Sequence, residues 1–121
     1  SIAIGRTAGQ TSQGTEGIAI GYLAGNNSQG QSAVAIGVNA GQGTTTAQGA
    51  NAIAIGNNAG VASQTAGSIC LNASGVALNP NQAGCFIRPI RAGVGAPTAA
   101  LGLPSGLLYY DPATFEILYT T

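Results

Sequence analysis

The chain has 121 residues, of which three are Arg, three are acidic and none is Lys or His, so the net charge is zero. An ordinary soluble domain carries about 25% charged residues; this one leaves no electrostatic footprint for nucleic acid or an anionic membrane surface, and neither is expected as a partner. Hydrophobic residues make up 45% of it, with 20 Gly and no Trp or Met, a composition too apolar for disorder and too small in side-chain size for a conventional core.

Internal repeats organise the first two thirds of the chain. SIAIGRTAGQTSQG from Ser1 recurs as GIAIGYLAGNNSQG from Gly17, AVAIGVNAGQGTTTAQG from Ala33 and AIAIGNNAGVASQTAG from Ala52. Short strands are predicted to start at Ile2, Ile18, Val34 and Ile53, with spacings of 16, 16 and 19 residues. A fifth copy, SICLNASGVALNPNQAG, starts its strand at Ile69, with Cys70 in the alanine place and Asn72 in the glycine place. A sixth, CFIRPIRAG, predicts a strand from Phe86 that breaks at Pro89 and aligns Cys85 with Ser68 instead of Cys70, so no disulfide is expected.

A period near 16 residues is too short for helical-hairpin repeats, which need roughly 33 to 47 residues. Recurrent glycines and β-branched residues at alternate places penalise helix and suit short strands joined by tight corners. The predicted fold is therefore all-β: a parallel β-solenoid over residues 1–85, followed by a small β tip over 86–121. Gly5, Gly21, Gly37 and Gly56 end the strands, and the Ala-Gly pairs turn the corners. Alternation sends Ile2, Ile4, Ile18, Ile20, Val34, Ile36, Ile53, Ile55 and Ile69 to one face, expected to be the coil interior. The other face carries Ala3, Ala19, Ala35 and Ala54, with Cys70 in the same row. Such a row suits either a thin solvated wall or close contact with another copy; the second is favoured because a charge-poor solvated monomer would be poorly soluble, and a homotrimer is the expected assembly.

Past Gly84 the Gly-Ala grammar stops, and both Phe and two of the three Arg follow. LLYY and FEILYTT flank a DPAT turn as a predicted hairpin, marginal alone. Phe86, Tyr109, Tyr110, Phe115 and Tyr119 are therefore expected between chains, with Arg88 and Arg91 pairing Asp111 or Glu116 across a subunit boundary.

Chemistry is poorly provided for. Without His or Lys there is no Ser-His or Ser-Lys nucleophile, and Glu16, Asp111 and Glu116 are the only carboxylates for a glycosidase pair. The repeats hold no Asp for a calcium roll, and the glycine-rich strings lack the Lys and helix of a phosphate loop. No catalytic residue, metal or cofactor is expected, and no membrane insertion. Two N-x-S triplets, at Asn26 and Asn72, are candidate glycosylation acceptors. An ice-binding ladder would need repeated Thr-x-Thr, which only Thr44 to Thr46 approaches.

Over residues 1–67 the IAIG strands and Ala-Gly corners resemble the left-handed β-roll heads of trimeric autotransporter adhesins, with a longer period and a GxxAG corner in place of GxxS. The C-terminal third is similar to a tail of virion fibre and spike proteins from large DNA viruses and phages, through NASGVALN (Asn72 to Asn79), FIRPIR (Phe86 to Arg91) and LYYDPATFEILY (Leu108 to Tyr119). Phe115 stands where those relatives commonly have Gly. The resemblance implies a left-handed roll and a homotrimeric structural segment on a virion surface that attaches to a host receptor or glycan. It also implies a self-cleaving intramolecular chaperone removed just beyond Thr121. A bacterial adhesin head on the cell surface and a polysaccharide-cleaving tailspike are the alternatives.

Overall fold

The computed structural model describes residues 1–89 and the strands Leu108–Asp111 and Glu116–Tyr119. Residues 1–90 form one compact unit and 91–121 another. In the first, β1 (Ile2–Ile4), β2 (Ile18–Ile20), β3 (Val34–Ile36), β4 (Ile53–Ile55), β5 (Ser68–Asn72) and β6 (Gly84–Arg88) make a single parallel sheet in chain order. Each strand stacks on the one a coil later, with Ile2 opposite Ile18, Ile18 opposite Val34, Val34 opposite Ile53 and Ile53 opposite Ile69. This is a β-solenoid with coils of about 16 residues, and no helix occurs among the described residues.

Stacking continues around the corners. Gly9, Gly25, Gly41 and Gly60 donate their N–H groups to Ala24, Ala40, Ala59 and Leu78 carbonyls of the following coil at 2.7–2.9 Å. The three extra residues of the third coil are absorbed in an exposed loop, where Thr44 and Thr45 bond to Val61 and Ala62 without shifting the strand register. Gly21 shows why the strand ends are closed to side chains: its φ is +127°, and a Cβ there would lie 2.6 Å from the Gly37 carbonyl oxygen.

The two faces of the sheet are the reverse of the expectation. Ala19, Ala35, Ala54 and Cys70 are 0% exposed and form the core with Ala24, Ala40 and Ala59. Ile2 and Ile4 are 50% and 58% exposed, Ile55 and Ile69 are also exposed, and Ile18, Ile20, Val34, Ile36 and Ile53 are only half-buried. The isoleucines therefore project outward and the alanines inward. Ala3 shares the inward register and is exposed because β1 lies at the sheet edge. The width of the coil explains the reversal: glutamine side chains from the opposite wall reach the strand backbone, leaving room for a methyl or thiol and not for a branched side chain. Ala19, Ala35, Ala54 and Cys70 consequently have no surface to offer another chain.

Two smaller corrections concern the sixth strand. Its register puts Cys85 opposite Ile69 and Phe86 opposite Cys70, one residue from the expected alignment. A slip by one would have turned Ile87 inward and removed it from the column containing Leu71. Phe86 is accommodated in the inward column because β6 lies at the other sheet edge, where it is half-buried over Cys70. The strand itself runs from Gly84 to Arg88 and is the last of the parallel sheet among the described residues.

In the second unit β7 (Leu108–Asp111) and β8 (Glu116–Tyr119) pair antiparallel, as the flanks of the DPAT turn predicted, with Leu108 opposite Tyr119 and Asp111 opposite Glu116. Arg91, Phe115 and the turn itself lie outside the described residues.

An alanine interior makes a sharp prediction. Ala35→Leu should destabilise the chain by about 3 kcal/mol or prevent folding, whereas Ala47→Leu, on an exposed loop, should change the urea midpoint little. Equal midpoints for the two variants would return the alanine row to the outside.

Candidate functional site

The recurring glutamine, at 13, 29, 48 and 64, builds the inside of the coil. Gln48 is wholly buried; its Nε2 donates to the carbonyls of Val34 at 2.9 Å and Ala52 at 3.4 Å, and to Gln64 Oε1 at 3.1 Å. Gln29 repeats this toward Ile18, Ala33 and Gln48 Oε1. Gln64 bonds to Ile53 and Ser68, and Gln13 to Ile2 and Gly17. Each amide thus ties the far wall to the first residue of its own strand, and successive amides link coil to coil. Among the described residues Gln29 Oε1 is buried without a donor, and Gln13 Nε2 bonds to the Ile2 and Gly17 carbonyls. The ladder also dictates the corner glycines: a Cβ on Gly41 would sit 2.6 Å from Gln48 Oε1, at a φ of +54°.

A second ladder lies in the corner. Asn39 Nδ2 donates to Asn58 Oδ1 at 2.9 Å, and Asn58 Nδ2 to the Gly75 carbonyl. Asn39 and Asn58 hold φ of 57°, a left-handed geometry that Asn tolerates; Leu23 takes the equivalent place at 56°.

Outside, the sheet presents two apolar columns. Ile2, Ile18, Val34, Ile53, Ile69 and Cys85 form one; Ile4, Ile20, Ile36, Ile55, Leu71 and Ile87 form the other. No charged residue falls in either. A shallow groove at the C-terminal end of the second column is lined by Ile55, Leu71, Ile87 and Arg88.

Among residues 1–89 the groups that could carry chemistry do not converge. Arg6 lies 4.7 Å from the centroid of the Tyr22 ring, and Glu16 Oε2 accepts a hydrogen bond from Ser32 at 3.1 Å. Among the described residues no group of three or more His, Cys, Asp or Glu is placed to hold a metal ion. Both glycosylation triplets are closed in the folded chain. Asn26 is buried with Nδ2 donating to Thr7 and Gln10, and Asn72 is buried with Nδ2 donating to Asn57 and Val76. Cys70 and Cys85 are both free and project to opposite faces of the sheet. Burial pushes the Cys70 thiol above its ordinary range, against a smaller lowering from a backbone hydrogen bond at Gly60.

Of the expected interface residues, Phe86 and Arg88 sit on the last solenoid strand, Phe86 half-buried and Arg88 exposed. Tyr109, Tyr110, Glu116 and Tyr119 lie in the hairpin strands. The glutamine ladder and the outward isoleucines were not anticipated, although Ser-Gln-Gly, Ala-Gln-Gly and Ser-Gln-Thr at fixed distance before each strand were visible as a pattern.

Two measurements test the interior. Gln48→Glu replaces a donor with an acceptor facing the Val34 and Ala52 carbonyls. Its folded-state carboxyl pKa should be raised by burial, so the variant should come closest to wild type below the ordinary Glu value of about 4.3 and lose stability as pH rises through the raised value, by about 3 kcal/mol at pH 7. A difference from wild type that does not change with pH would contradict the ladder. Likewise Cys70, buried and poor in thiolate, should resist alkylation in native protein at pH 8 and react only after unfolding, as followed by peptide mass mapping; rapid native labelling of Cys70 would contradict its inward position. No protein-family model, curated protein or solved structure matches the chain.

Proposed function

We propose that the chain is a structural, non-catalytic segment of a homotrimeric fibre or spike on a virion surface, serving attachment to a host receptor or glycan. The observation that carries this reading is the construction of the solenoid. Identical rungs stack in register, the interior is tied by amides and methyls, and a continuous apolar face is left on the outside. Such a stack is a stiff rod whose length grows by about 4.8 Å per coil and whose stability comes from neighbour contacts, the mechanical requirement of a shaft. The scattered charges support the non-catalytic part: Arg6 and Glu16 are engaged with neighbours on the surface instead of lining a cleft.

The hairpin fits a trimerising tip on this reading. Asp111 and Glu116 are partners in the strand register, and Arg88 and Arg91 of neighbouring subunits are the cations proposed to pair with them. A chaperone encoded after Thr121 and removed by self-cleavage belongs to the same proposal, through the resemblance of the tail.

Sedimentation equilibrium of the purified chain should give three times 11.7 kDa, and antibodies raised against it should decorate the outside of intact virus particles in electron micrographs. A single-chain mass would remove the trimer; labelling of bacterial cell envelopes instead of particles would favour the adhesin alternative.

A further inference from the structure

The trimeric reading leaves open which surface of the coil meets the other copies, and the exposed sheet face answers it. We infer that the two outward columns, running from Ile2 and Ile4 to Cys85 and Ile87, are the surface on which three copies of this chain pack against one another. The inference rests on the homotrimer proposed above and replaces the alanine row as its contact.

Four observations point to a second copy as the occupant. Neither column contains a charged residue, so the face selects no charged ligand along its length; Arg6 and Glu16 lie outside the strands, and Arg88 borders the face only at its β6 end. Its side chains are held rigidly: every rung is in register, and the first four are anchored from behind by the amide ladder, so ordering them on contact costs little. Their repeat, about 4.8 Å along the stack, is the same in every copy, so parallel copies related by a closed rotation can interdigitate rung by rung without adjustment. Finally, the face is long and contiguous. Six rungs span roughly 24 Å, and Ile2, Ile4, Ile55, Ile69 and Ile87 on them are 38–58% exposed; a contiguous apolar strip of this kind marks a contact with another protein surface. With so few charges elsewhere on the chain, such a face left in water favours association.

The test uses the full chain. Ile20→Asp with Ile36→Asp places two carboxylates in the middle of the second column, where they point away from the coil interior. Thr45→Asp, on the exposed loop, is the control. Wild type and control should sediment as trimers and the double variant as a folded single chain with an unchanged β circular-dichroism spectrum. Should the double variant fail to fold, Ile36→Thr keeps the branched strand preference while adding a hydroxyl, and should raise the concentration at which the trimer dissociates at least tenfold. A double variant that stays trimeric, or an Ile36→Thr chain with unchanged dissociation, overturns this inference and leaves the trimeric fibre intact. A wild-type chain that sediments as a monomer, its isoleucine face then covered by residues 91–121 or by nothing, overturns both.

Discussion

The hydrogen bond from a buried glutamine amide to the backbone of the facing strand sets the dimensions of everything else in this solenoid. An amide that reaches from one wall to the carbonyls of Val34 and Ala52 fixes how far apart the walls stand, and that distance excludes any inward side chain much larger than alanine. It also requires the glycine beneath it, since a Cβ on Gly25, Gly41 or Gly60 would approach the amide of Gln29, Gln48 or Gln64 to 3.1 Å or less. Buried polar groups are costly unless paired, and a coil that lost one amide would leave two carbonyls and a neighbouring glutamine without their partner. Repetition is thereby enforced from inside: the Gln, Ala and Gly positions recur together because each makes room for the others.

Much of this was legible in the residues. Ile-Ala-Ile followed by Gly at a constant interval sufficed for short parallel strands, their register, and the loop that takes up the extra threonines, because backbone pairing depends on spacing alone. The orientation was not legible by the same route. Alternation separates Ile18 and Ile20 from Ala19 but does not say which of the two faces looks inward; that depends on the width of the coil. The usual preference for burying the larger residue fails because this coil is narrow. The deciding signal was the uncharged glutamine before each strand, a polar residue that reads as loop until its partner is known to be a carbonyl across the interior. The sixth strand was misplaced by one residue for a related reason: Phe86 was read as the start of an apolar strand, whereas Gly84 continues the inward small-residue column of Ala33, Ala52 and Ser68.

The same narrow interior accounts for the composition. A conventional domain stabilises itself by burying large aliphatic groups inside one chain. Here the aliphatic groups of the strands lie outside, and the inside is held by methyl packing and hydrogen bonds. The gain from burying isoleucine is then available only when another surface covers it, which couples the stability of the rod to its assembly. A low charge density fits this arrangement, since a charge on the outer columns would oppose such contact and a charge inside would face carbonyls with no counter-ion.

A stack of equivalent rungs has no intrinsic end, and the fifth coil departs from the earlier ones at the positions that propagate it. Pro80 takes the place of the glutamine: it is fully buried and its carbonyl accepts from Thr65, but it has no amide to extend the ladder to a further coil. Asn72 takes the place of the strand-ending glycine and turns its side chain onto its own loop, accepting from Ser74 and donating to Val76. Cys70 takes the place of alanine, and Phe86 follows it in the same column, each larger than the residue it succeeds. The three inward positions that define a coil are thus altered in one step, so that the next coil of the ordinary kind could neither receive a glutamine donor nor fit over the aromatic ring. The interior positions that propagate the repeat through the earlier coils are thus the same positions that change in the fifth, so one set of residues both carries the stack forward and alters it.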